Sequence, residues 1–374
     1  MKKTVLVLVA AAIALTAQAQ TPQYINTGSN HLTMNGADWS ALRAKLAKLS
    51  AGQDTVVRIL HIGDSHIQAE FVTNELRRLL QQQYGNAGRG LISPLRLAGT
   101  NQPHDYTITA TSGTNFRQTR LLKHPWQAKP GVTGIAAEPQ TDTDITFTPK
   151  AAGHNITSAK ILTAKGRTDI NLIVPFDSLS VPLQAGNALY GAILENGKPG
   201  LVYSAIGNNG ATFNDYLLID SFPSRTQIFQ PALIVLSMGT NEAFSHMTDK
   251  EIEDSAHTLI TLLRQFNPDA EMLLLTPMEC QKNHNHGYRP LSKEYDILAR
   301  NADVADIIKR VGADMHVPVW DFYTIAGGDG ASTHWLDDKL MNRDRIHLVK
   351  PGYELEARLL FDALQEQLAP ASVK

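Results

Sequence analysis

Between residues 56 and 90, and again from 201 onward, short apolar runs alternate with stretches in which apolar residues recur every three to four positions. The runs are VVRILHI (56–62), LVYSAI (201–206), ALIVLSM (232–238), EMLLLTP (271–277) and VPVWDF (317–322), and the helical stretches fall at 69–84, 249–266, 293–312 and 351–367. Near-continuous apolar runs read as strands buried on both faces, and the stretches between them supply crossover helices. The pattern predicts one three-layer α/β/α domain around a five-stranded parallel sheet. Pro351 suits the first turn of the last helix, which carries Leu355, Leu359 and Leu360 on one face. The stretch DWSALRAKLAKL (38–49) predicts a further amphipathic helix with its lysines solvated.

Residues 91–200 have another texture. Gly, Pro, Thr and Asn are frequent, and short alternating pieces such as DYTITAT, TDITFTP, INLIVPF and SLSVPLQ replace helical periodicity. More than a hundred residues of bare loop would be unusual in a compact fold. The segment therefore reads as a β-rich domain inserted between the first and second strands, so that 20–90 and 201–374 form the two parts of the α/β domain. Its Tyr106, Trp126 and Tyr190 have the shape to stack on sugar rings, although aromatics in small β modules usually form the core.

The first nineteen residues stand apart. Two lysines, the run TVLVLVAAAIAL and the small-residue site Ala17-x-Ala19 have the form of a secretory signal peptide cut before Gln20. The run is shorter than the roughly 20 residues of a spanning helix, and no other stretch approaches that length. The expectation is a periplasmic or secreted mature protein without a membrane span. Without Lys2 and Lys3 the formal charge moves from −2 to −4, so the basic footprint of a nucleic-acid binder is missing. Cys280 is the single cysteine, which leaves stability to the core and not to an internal disulfide.

In an open parallel sheet, ligands bind beyond the carboxyl ends of the strands. Gly63-Asp64-Ser65 follows the first run, GNNGAT (207–212) the second and GTNEAF (239–244) the third, while DRIHL with Asp344 and His347 precedes the last helix. A serine hydroxyl becomes a nucleophile only beside a base that a third group holds in the right tautomer. His347 and Asp344, three residues apart, have the spacing for base and orienter. Charge on the attacked carbonyl oxygen needs donors, and the backbone N–H groups of Ser65 and Gly210 and the Asn241 amide are the candidates.

Together the blocks GDSH, GNNGAT, GTNE and DRIH resemble those of the SGNH, or GDSL-type, hydrolases. The resemblance implies a flavodoxin-like SGNH-hydrolase domain with Ser65 as nucleophile, Ser65, Gly210 and Asn241 as oxyanion donors, His347 as base and Asp344 as its partner. GDSH in place of Gly-Asp-Ser-Leu, together with the insertion, is similar to the bacterial peptidoglycan O-acetylesterase branch, in which the insertion resembles a carbohydrate-binding module. The implied activity is an exported serine esterase acting on an O-acetylated glycan, with no cofactor and no metal. An O-acetylesterase of plant or host polysaccharide, an O-acetyltransferase on the same fold and a non-catalytic glycan-binding protein are the alternatives. The α/β-hydrolase elbow wants Gly two residues after the serine, where this chain has Ile67. Cys280, His284 and His286 lack a second pair at zinc-ligand spacing and read as a cleft or surface loop. His66 reads as a substrate or structural contact, and Asp64 as a helix cap.

Overall fold

The protein is described by a computed structural model covering residues 21–53, 55–150, 153–283 and 294–368. The expected signal segment 1–19, as well as His284 and His286, lies outside the described residues.

All five expected parallel strands form, as Val56–Gly63, Gly200–Gly207, Leu233–Ser237, Glu271–Leu275 and Val319–Trp320. In space the second lies outside the first, and the third, fourth and fifth follow on the other side. That is the flavodoxin-like order, with a switch point beside the strand that leads to Ser65. The count of five needs one correction. Leu32–Thr33 adds a sixth strand, antiparallel to Val319–Trp320, so the sheet is mixed. A two-residue pair has no periodicity to read in the sequence, but it covers a short edge whose backbone groups would otherwise stay unpaired.

Alternate residues of each strand serve opposite layers, as the period of two requires. Val57, Ile59, Leu233, Val235, Leu273 and Leu275 face the layer of helices Ser40–Ser50, Phe71–Tyr84 and Lys350–Leu368. Leu60, Ile62, Ile234, Leu236, Met272 and Leu274 face helices Asp249–Phe266 and Arg300–Asp314. Thr248 caps Asp249–Phe266 through a reciprocal box with Glu251. The helix expected from 69 starts at Phe71, because Glu70 adopts a left-handed backbone (φ 54°). Its buried carboxylate binds Arg77 at 2.8 Å and Arg89 at 2.7 Å, and Arg89 in turn pairs with Asp105.

From Gly90 to Glu195 the elements are strands. Tyr106–Ala110, Thr143–Pro149 and Leu179–Leu183 make a three-stranded antiparallel sheet. A second antiparallel sheet contains Gly90–Ile92, Phe116–Arg120, Ile135–Pro139, Ser158–Thr163, Gly166–Asn171 and Leu189–Glu195. Side chains from both sheets, among them Tyr106, Phe147, Ile161 and Leu189, share one core. Tyr106 and Tyr190 are buried, the core role and not the sugar-stacking one, while half-buried Trp126 donates its indole N–H to the Leu121 carbonyl. Leu91, Val132, Leu162 and Ile193 continue into the hydrophobic layer under Leu60 and Ile62. Arg58 of the first parallel strand pairs with Glu195, which also holds Lys160, adding an ionic contact between the two regions.

Candidate active site

The strand Val56–Gly63 is buried through its last five residues and delivers the chain directly to Ser65, the first residue of the short helix Ser65–Gln68. Gly63 is required for that close packing. A Cβ there would stand 2.2 Å from Ile67 Cγ1 and 2.8 Å from the Ser237 carbonyl oxygen. Asp64 caps the helix: its Oδ1 accepts the His66 N–H at 2.9 Å, and its Oδ2 accepts the Asn241 amide at 3.1 Å. Burial pushes its carboxyl up to about 6, against the opposing pull of the His66 N–H and His347.

The other half arrives on a turn. Asn342 donates its N–H to the His347 carbonyl at 2.7 Å, Met341 bridges to Leu348, and Arg345 takes a left-handed backbone (φ 59°) at the tip. Asp344 Oδ1 accepts the N–H groups of Ile346 and His347, both at 3.0 Å. Its Oδ2 accepts His347 Nδ1–H at 2.8 Å, which fixes the tautomer and leaves Nε2 free to accept the Ser65 hydroxyl at 2.8 Å. The three residues, picked out from two separate sequence blocks, thus form one continuous hydrogen-bonded relay. Burial is the largest single influence and works against ionising either partner, yet their mutual hydrogen bond and charge attraction, with the N–H groups of Ile346 and His347 on Asp344 and the Asp64 charge near His347, together outweigh it. Their sum holds the Asp344 carboxyl below its ordinary range and His347 above that of a free imidazole.

Gly210 and Asn241 line the same cleft, of about 500 Å³, as Ser65 and His347. Gly210 sits at φ +85°, a backbone conformation that favours glycine. Among the described residues, neither the Ser65 nor the Gly210 N–H donates a hydrogen bond within the chain. Asn241 differs: its amide already donates to Asp64 and, at 3.0 Å, to the Ala211 carbonyl. Its geometry is preset, but a substrate oxygen would have to share or replace one of those bonds. Both partners come from other blocks, a dependence that the GTNE motif alone does not reveal.

His66 makes a structural contact. Its Nδ1 meets the Tyr353 hydroxyl at 2.9 Å, and its ring lies 5.0 Å from that of His347. Burial lowers it to about 3, so it stays neutral. Cys280 is buried against Asn301 at 3.0 Å, and burial pushes its thiol up to about 12, far from the thiolate that metals bind. Elsewhere, Glu253, His257 and Asp314 bring potential donor atoms within 4.8 Å of one another, and none of them lines the cleft. Sequence reasoning missed Phe71, Asn101, Asn209, Phe244 and Tyr353 in the cleft wall. Asn209 adjoins Gly210 within the second block and could have been found there, whereas nothing in the sequence singles out Asn101.

The GDSL-like lipase/acylhydrolase family model matches residues 177–355. That span holds the second, third and fourth blocks; the Ser65 block falls outside it, beyond the β-rich segment. No curated protein matches the sequence. Among solved structures, one described as a peptidoglycan O-acetylesterase in action superposes with a TM-score of 0.74 at 22% identity, covering 90% of this chain and 99% of its own. A lipase/acylhydrolase from Enterococcus faecalis (21% identity, TM-score 0.35) covers 46% of this chain and 80% of its own. An acetyl xylan esterase (20% identity, TM-score 0.33) covers 44% and 80%. Among the described residues no helix is long and apolar enough to cross a membrane. The resemblance carried by the four blocks is borne out: the chain is similar in sequence over 177–355 to the GDSL-like lipases and acylhydrolases, and in fold over nine-tenths of its length to a peptidoglycan O-acetylesterase.

Proposed function

We propose that this protein is an exported serine esterase that removes O-acetyl groups from peptidoglycan or a related glycan. The observation that carries the reading is the unbroken relay from Asp344 through His347 to the Ser65 hydroxyl, 2.8 Å at each link, inside a cleft that also holds two unengaged backbone N–H donors. In this reading Ser65 Oγ attacks the acetyl carbonyl while His347 Nε2 takes its proton. The Ser65 and Gly210 N–H groups receive the developing oxyanion, with Asn241 as the third donor. Collapse expels the sugar oxygen, which leaves as a hydroxyl after taking the proton from His347. Water activated by the same imidazole then releases acetate and restores Ser65. Asp344 stabilises the imidazolium throughout. Residues 20–90 and 201–374 form the hydrolase unit, and 91–200 is the insertion that approaches the glycan.

The test is acetate release from O-acetylated peptidoglycan and, in parallel, from acetylated xylan. The parent should act preferentially on peptidoglycan, and Ser65→Ala should reduce the rate by at least about a thousandfold. A preference for xylan would replace the substrate and keep the mechanism. Equal rates for parent and variant would overturn the serine-esterase reading.

A further inference from the structure

The β-rich segment does more than sit beside the cleft: it supplies part of the wall. Residues 94–100 form a tight turn, with Ala98 N–H donating to the Pro94 carbonyl and Thr100 N–H to that of Leu95. Leu95 and Ala98 anchor it in a small core with Ile135, and Gln118 and Arg120 of a β-rich strand hold the Leu97 and Gly99 carbonyls. This turn carries Asn101 into the cleft that holds Ser65, Gly210 and His347.

Asn101 is oriented from beneath. Its Oδ1 accepts the buried Gln68 amide at 2.6 Å, the Asn209 amide at 2.8 Å and the Thr100 hydroxyl at 3.2 Å. Gln68 is itself committed at both ends, since its Oε1 accepts the Asn209 backbone N–H at 2.9 Å. With the acceptor side saturated, the amide must present its two N–H donors outward, and among the described residues they have no partner. An amide so fixed recognises an oxygen acceptor and meets little entropic cost in doing so.

We infer that Asn101 is a substrate-contacting, specificity-determining residue, whose side-chain N–H groups bind a hydroxyl or carbonyl oxygen of the sugar that bears the ester. The inference rests on the esterase reading and names the group that reads the leaving sugar. A small aryl acetate, lacking that oxygen, does not use the contact.

Asn101→Asp keeps an oxygen for Gln68 and Asn209 while replacing the outward donors by an acceptor; Asn101→Ala removes both. Steady-state kinetics would compare an O-acetylated muropeptide or disaccharide with 4-nitrophenyl acetate. In both variants the ratio of kcat/KM for the glycan over the aryl ester should fall about tenfold, mainly through KM, as expected for one lost hydrogen bond made in ground and transition states alike. Gln68→Met, which frees both Asn101 and the Asn209–Gly210 turn, should lower kcat/KM for both substrates, and more for the glycan. Equal loss on both substrates for Asn101→Asp, or an unchanged ratio, would overturn the inference while leaving the esterase intact. A parent protein inert on both would remove the esterase reading and this inference with it.

Discussion

Ser65 and His347 share a 2.8 Å hydrogen bond, yet the chain holds them by opposite means. Ser65 follows a central strand whose last residues are buried, and Asp64 and Ile67 around it are 2% and 1% exposed. His347 lies on a turn with exposed neighbours Asn342, Arg343 and Asp344, held by hydrogen bonds of that turn and by Arg345, which reaches Gln281 at 2.6 Å and stacks over Tyr295. The position of Ser65 is a property of the core, and that of His347 a property of a surface turn and the few side chains that brace it. Damage on the two sides should therefore look different: near Ser65 folding and activity fail together, whereas near His347 activity fails alone.

The largest effect expected from breaking the comparison is on the turn side. His347→Gln should lower kcat/KM by about 10⁴-fold or more, while its free energy of unfolding in urea stays within about 0.5 kcal/mol of the parent, as for surface positions. A large loss of stability would show that the turn is part of the core after all. Next, Gly63→Ala should cost about 1–3 kcal/mol by overpacking, since its new methyl meets Ile67 and the Ser237 carbonyl. Urea unfolding and esterase assays should report parallel losses, and a stable but inactive variant would contradict the core-held account.

The smallest effect sharpens the comparison through pH. Asp344 raises His347, so the imidazole keeps its proton to higher pH than a free one. Only the neutral ring serves as base, and kcat/KM should therefore fall on acidification through a midpoint above about 6.5. In Asp344→Asn the main raising influence is gone and only that of Asp64 remains, while burial still favours the neutral form, so the acidic limb of the residual activity should move to lower pH. A limb that stays in place in the variant, or a parent profile flat down to about pH 4, would exclude His347 as the base.

The central sheet was legible because each buried strand repeats the same apolar signature, and because the polar residues after it fall where such sheets place ligands. The relay was legible because its motifs, each common alone, fall in a consistent order at the carboxyl ends of strands and before the last helix. What stayed hidden depends on distant partners. Leu32–Thr33 is a strand only because Val319–Trp320 stands beside it. Glu70 breaks the expected helix start because Arg77 and Arg89 capture its carboxylate. Asn101 is placed in the cleft by a turn anchored on the β-rich strands and oriented there by Gln68 and Asn209 across the fold. No local pattern encodes any of these contacts.

The span between the two halves of the relay has a kinetic meaning as well. Ser65 and His347 are 282 residues apart in the chain. Closing so long a loop costs entropy that only the finished sheet can offset, and folds dominated by distant contacts form slowly. Ser65 is made long before His347 during synthesis. The hydrogen bond between them therefore closes only after the intervening residues have been made and the sheet has assembled.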